Sequence, residues 1–278
     1  MPTATATQSD VFAANRATGR LALTAACRRG RTRRARVHED GSLRLRFPNV
    51  DAGAPLEAVI VNTGGGMTGG DRFSIGMAVE DDAALLAGTT AAEKIYRSTG
   101  PDTDLAVTLS LGARASLAWL PQETILFDRA RLNRRIDIDM AGDASLLLCE
   151  AVVFGRAAMG ETVEQGRLID RWRLRRGGML VYAETARLDG AIGARLAEAA
   201  VANGAVALAT VLIAPGDEAV AEAVRALSGQ FAGEVGVSAW NGIAVVRFCA
   251  RDGAALRRDI IRVLTALNRS AIPRLWLN

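Results

Sequence analysis

The chain has 278 residues, half of them apolar, and a formal net charge of +4. That is long enough to bury a large core without covalent staples, and three cysteines spaced about a hundred residues apart, Cys27, Cys149 and Cys249, point to reduced thiols rather than a disulfide framework. No run of eighteen uncharged apolar residues is present and the first twenty residues lack a cationic start followed by an apolar stretch, so neither a membrane span nor a secretory leader is expected, and the compartment expected is the cytoplasm.

In chain order, residues 1–15 are expected to be a flexible lead and 16–278 a single domain. The basic side is almost wholly arginine, 33 against the single Lys94, and six arginines crowd the segment Arg28 to Arg36, RRGRTRRAR. A solvated strand edge or turn is the simpler expectation for that cluster. A nucleic-acid reader would interleave aromatic residues with the bases' partners, and the nearest downstream aromatic is Phe47. Period-two alternation predicts strands at SLRLRF (42–47), RFSIGMAV (72–79), DLAVTLSL (104–111), RRIDIDM (134–140), DRWRLRR (170–176) and LVYAETARL (180–188). The apolar runs AVIVN (58–62), SLLLC (145–149) and AVVF (151–154) read as strands buried on both faces. Helical spacing appears only late, weakly at 191–203 and clearly at 217–228 and 254–268. Between the last two, SAWNGIAVVRF (238–248) sets Asn241 and Gly242 where a type I′ hairpin requires positive φ. No period of 20 to 50 residues repeats. The fold class expected is mainly β with a few helices in the C-terminal third.

Residues 62–73, NTGGGMTGGDRF, place Gly64, Gly66 and Gly69 at the G-x-G-x-x-G spacing of a dinucleotide turn. Such a turn must open a helix, whose N-terminal amides and dipole hold the pyrophosphate. Here Phe73, Ile75, Met77 and Val79 alternate instead, as a strand. A wide turn that lets two backbones approach is therefore the favoured reading, and a nucleotide-dependent oxidoreductase using the Gly64 to Gly69 turn is the competing one. His38 is the only histidine, which removes multi-histidine metal sites and serine triads. Cys149 sits in an apolar run and reads as a structural thiol.

Five segments, NTGGGMTGGDRF, TTAAEKIYRS (89–98), LPQETILFDRARL (120–132), CEAVVFGRAAMGE (149–161) and PRLW (273–276), together resemble the UreD family of urease accessory proteins, called UreH in some organisms. The first sixty residues match it only loosely. The resemblance implies a β-helix-like stack of strands with two helices and no catalysis. It also implies a metallochaperone scaffold that binds UreF, reaches the UreG GTPase through it, docks on the urease apoprotein, and passes nickel transiently through an internal passage, with homodimerisation possible within the complex. No tightly bound cofactor, nucleic acid or membrane is implied.

Passing on a divalent ion calls for oxygen ligands that bind weakly and in succession, because a closed thiolate or imidazole set would hold it. On that reading the candidate metal contacts are Asp71, Glu93, Glu123, Glu150 and Glu161. Glu150 leads, since it interrupts the apolar run SLLLCEAVVF, where an unpaired carboxylate costs several kcal/mol, and it aligns with a conduit acid of the family. The bland alternative for Glu150 is an ion pair with Arg156 or Arg97; for Glu93 and Glu161 an ordinary paired charge; for Asp71 a cap on the glycine turn. Asp137 and Asp139, on one strand face, read as solvated.

Overall fold

The computed structural model describes residues 16–51 and 53–277, so the expectation for residues 1–15 lies outside them. A hairpin of β1 (Thr18–Arg28) and β2 (Arg31–Gly41) opens the described chain, followed by β3 (Leu43–Arg46) and β4 (Leu56–Asn62). The middle consists of β5 (Arg72–Val79), β6 (Ala84–Thr89), β7 (Glu93–Ile95), β8 (Thr103–Leu111), β9 (Ser116–Trp119), β10 (Thr124–Leu126), β11 (Arg131–Met140), β12 (Ser145–Phe154) and β13 (Gly166–Arg176). Then come β14 (Met179–Gly190), helix α1 (Ile192–Ala197), β15 (Ala207–Ala214), α2 (Glu218–Arg225), β16 (Glu234–Trp240), β17 (Ile243–Ala250) and α3 (Gly253–Leu267).

Apart from short β7 and β10, the strands from β4 to β13 alternate between two sheets. One runs in the order β14, β13, β11, β8, β5, β1, β2, and the other β16, β17, β15, β12, β9, β6, β4, β3. Their centres are parallel, from β1 through β5, β8 and β11 to β13 on one side and from β4 through β6 and β9 to β12 on the other. Short β7 and β10 pair in parallel along a third side and lead to β12. The chain therefore winds as a β-helix, one coil per circuit of the sheets. The coils are unequal: hydrogen-bonded Asn133 and Asp104 on neighbouring coils are 29 residues apart, whereas Asp128 and Glu164 are 36 apart. A repeat that is geometric but of varying length leaves no fixed period in the sequence.

The alternating segments form strands because one row of side chains meets the coil interior and the other meets water. In β5 the interior row is Phe73, Ile75, Met77 and Val79, all buried. The runs 145–149 and 151–154 are one strand, β12, covered on both faces. Leu146, Leu148, Val152 and Phe154 point into the coil, while Leu147, Cys149 and Ala151 meet a second core beneath α2 and α3. Among the described residues three α-helices form, one more than the resemblance implies. Asp217 and Asp252 cap α2 and α3 by accepting the amides of Val220 and Ala255, which fixes where each helix starts. Asn241 and Gly242 turn the β16–β17 hairpin with φ of 49° and 73°, as the type I′ geometry demands.

Candidate functional site

Glu150 shares the phase of Leu148 and Val152 on β12, so its side chain enters the coil interior. Across the interior, β11 directs Leu132, Arg134, Ile136 and Ile138 inward, and β13 directs Leu168, Asp170, Trp172 and Leu174. A buried ion cluster results. Arg134 forks onto Asp170, Nε to Oδ1 at 2.9 Å and Nη2 to Oδ2 at 2.6 Å, and its remaining nitrogen Nη1 donates to Glu150 Oε2. Two indoles complete it: Trp119 Nε1 donates to Glu150 Oε1 at 2.8 Å and Trp172 Nε1 to Asp170 Oδ1 at 2.9 Å. Burial works against the Arg134 charge, but the two carboxylates outweigh it and hold the guanidinium protonated. Burial pushes the Glu150 carboxyl upward, opposed by Arg134 and Trp119. Because Asp170 takes two guanidinium contacts and Glu150 one, Glu150 is the less neutralised of the two acids.

The expected partners of Glu150 require a correction, since neither Arg156 nor Arg97 reaches it. Arg156 lies past the positive-φ Gly155 and folds back onto Glu161, with Nε to Oε2 at 2.8 Å and Nη2 to Oε1 at 3.1 Å, while its guanidinium covers the Phe127 ring at 4.1 Å. Arg97 is exposed. Arg134 and Asp170 went unnoticed in the sequence although their phase was readable, each sitting in the inward row of an alternating strand.

The glycine run connects β4 to β5, strand to strand, so the helix that a dinucleotide site needs is replaced by β5. Its glycines serve close approach. A Cβ on Gly66, whose φ is +150°, would strike the Tyr96 ring and lie 2.9 Å from the Lys94 carbonyl; one on Gly69 would strike Ser98 Oγ and lie 2.5 Å from the Pro101 carbonyl. Both neighbours belong to the next coil. Asp71, buried, closes this turn, accepting the Thr68 amide at 2.8 Å and the Ala17 amide at 2.8 Å. Beside it, Asn62 Nδ2 donates to Glu93 Oε1 at 3.0 Å and to the Gly66 carbonyl at 3.3 Å. Burial pushes the Glu93 carboxyl up to about 7, the Asn62 bond acting the other way.

Glu123 pairs with Arg257 Nη2 of α3 at 2.7 Å, and the neighbouring Gln122 Oε1 accepts from the same nitrogen at 2.8 Å. The terminal PRLW docks at the same place, with Trp276 Nε1 donating to the Leu120 carbonyl at 3.0 Å. The five carboxylates thus sit with five different sets of partners. Among the described residues, no three His, Cys, Asp or Glu side chains gather as a metal site. Asp137 and Asp139 lie on the outward row of β11. Cys149 is buried, and burial raises its thiol pKa far above the ordinary value, as a structural thiol requires. The arginine cluster forms the β1–β2 turn, with Arg29 and Gly30 at φ of 54° and 73°, and continues along the exposed edge strand β2 with His38. That is the solvated edge expected of it.

The family model of the UreD urease accessory protein matches residues 17–277. The chain belongs to the UreD family. Among relatives of UreD type, the urease accessory protein UreD of Bradyrhizobium diazoefficiens is 57% identical over 270 residues, 97% of each chain. That of Rhodopseudomonas palustris strain BisB18 is 57% identical over 268 residues, 96% of each chain, and that of strain BisB5 is 57% identical over 275 residues, 99% of this chain and 97% of the relative. The arginine hairpin and the glycine turn both fall inside the matched UreD span.

Proposed function

We propose that this chain is a non-catalytic scaffold in urease maturation that binds UreF, reaches the UreG GTPase through it, docks on the urease apoprotein in the cytoplasm, and lets nickel pass through its interior. Membership of the UreD family over nearly the whole chain carries this reading. Supporting the passage is Glu150, a carboxylate inside the coil that Arg134 neutralises through a single contact. An oxygen donor of that kind binds a divalent ion more loosely than thiolate or imidazole sets do and releases it onward. Asp71, Glu93, Glu123 and Glu161 are the further contacts of the proposal. The competing oxidoreductase has no helix at Gly69 on which to seat a pyrophosphate.

The test uses cells that carry the urease structural genes and the other accessory genes but lack this one. Restoring the tagged chain should restore nickel content and activity of urease and should retain UreF and the GTPase in a pull-down. Full urease activation without the chain would refute the role. At limiting nickel, Glu150→Gln, which keeps the shape and the indole contact, should retain UreF yet lower nickel loading; wild-type loading would refute the passage alone.

A further inference from the structure

The outer face of the first sheet carries a groove of about 510 Å³ with no part in the reading above. Register places Arg20, Ser74, Ala106, Arg135 and Arg171 in one row across β1, β5, β8, β11 and β13, and Arg72 lies beside it on β5. Small side chains at the middle of the row make the floor, and the four arginines rise as one pair at each end, Arg20 with Arg72 and Arg135 with Arg171. All four are exposed. Among the described residues, no carboxylate reaches the guanidinium groups of Arg20, Arg72 or Arg171 as an ion pair, and Arg135 has a loose one to Asp137 at 3.4 Å. The groove also holds two carboxylates: Asp104, in register opposite Arg72 and accepting from Asn133 Nδ2 at 2.8 Å, and Asp40, opposite Arg20 at the rim. Four guanidinium groups against those two carboxylates leave a local basic excess, and three of the four make no ion pair, unlike arginines elsewhere such as Arg114 with Asp82 and Arg247 with Glu184.

We infer that this groove binds an extended acidic segment of a partner protein, lying across the strands. Strands are spaced by about 4.8 Å, so the four steps from Arg20 to Arg171 span roughly 19 Å, the length of about six extended residues. A single phosphate or small dianion would engage one end of the groove and leave the other two guanidinium groups unpaired. Nucleic acid would call for exposed rings on which bases stack, and Phe73, the aromatic residue at the groove, is buried inward. Carboxylates on alternate residues of an extended peptide meet both arginine pairs while the backbone crosses the small-residue floor. Guanidinium groups recognise carboxylates through paired, charge-assisted hydrogen bonds.

The test is fluorescence anisotropy of a labelled hexaglutamate peptide with the full chain at physiological salt. Arg72→Glu/Arg171→Glu should weaken binding by at least about tenfold, since both ends lose attraction and gain repulsion. Arg31→Glu/Arg33→Glu, an equal charge change on the exposed β2 edge outside the groove row, should weaken it less than about twofold. Circular dichroism confirms that both variants fold. Equal losses in the two variants, no measurable binding by the parent chain, tighter binding of an oligothymidine of the same length, or full competition by millimolar inorganic phosphate would each overturn the proposal. Urease activation is not read in this assay, so its failure leaves the maturation reading untouched.

Discussion

Replacing Arg134 by methionine retains most of the side-chain volume but removes the one cation that, among the described residues, touches both Glu150 and Asp170. Breaking a buried pair by deleting one partner costs about 3–5 kcal/mol. In a chain of this size each kcal/mol moves the melting temperature by roughly 2–4 °C, so a fall of about 10 °C is expected near neutral pH. The loss should depend on pH. Without the guanidinium, the two carboxyls take folded-state pKa values above those of the unfolded chain, so the penalty is small below the unfolded values and grows as pH rises through the folded ones. The gap between parent and variant should accordingly narrow at about pH 5 and widen at about pH 8. Thermal unfolding followed by circular dichroism at both pH values measures this. The triple variant Arg134→Met/Glu150→Gln/Asp170→Asn, which leaves no charge in this cluster, should recover at least half of the loss. The reasoning fails if Arg134→Met melts within about 2 °C of the parent at the higher pH, less than a single kcal/mol would produce.

Three further outcomes are expected. Burial places the Glu93 carboxyl at about 7 in the folded chain, above its unfolded value, so the stability it confers is complete below the usual carboxylate range and disappears as pH rises through 7. Glu93→Gln should therefore flatten the pH dependence of melting across that window, and an unchanged slope would discard the titration. Gly69→Ala should cost about 1–3 kcal/mol by overpacking, because its Cβ meets Ser98 and the Pro101 carbonyl of the next coil. Gly64→Ala meets nothing nearer than the end of the Asn62 side chain, at 3.2 Å, with the Gly66 carbonyl and Ser42 Cβ at 3.7 Å, so urea unfolding should find it within about 0.5 kcal/mol of the parent. Equal sensitivity at both glycines would refute the close-approach account of the turn. Trp276→Ala should cost about 3–5 kcal/mol, since the indole is buried and holds the Leu120 carbonyl; a melting temperature like the parent's would mean that PRLW does not clamp the 120–123 segment.

Most of the architecture could be read residue by residue. Alternation in RFSIGMAV gives β5 with the same bounds, Asn241 and Gly242 mark their hairpin, and Asp217 stands where α2 begins. These signals are local: a side-chain period, a positive φ and an amide acceptor all act within a few residues. Short β7, β9 and β10, with three or four residues, show too little of a period to be read, and the longer β1, β6 and β15 were not read either. The coil repeat escaped because its length varies from turn to turn. Glu150 was visible as a charge inside an apolar run, and the inward phase of Arg134 and Asp170 was equally visible. What no single strand contains is that β11, β12 and β13 bring those three side chains to one point in the interior. Pairing across a coil depends on which strands become neighbours in space, and that is decided by the packing of the whole stack, because a buried carboxylate takes as its partner whatever cation the opposite sheet presents. The outer groove follows the same rule: Arg20 and Arg171 stand far apart in the chain, and parallel register alone sets them in one row.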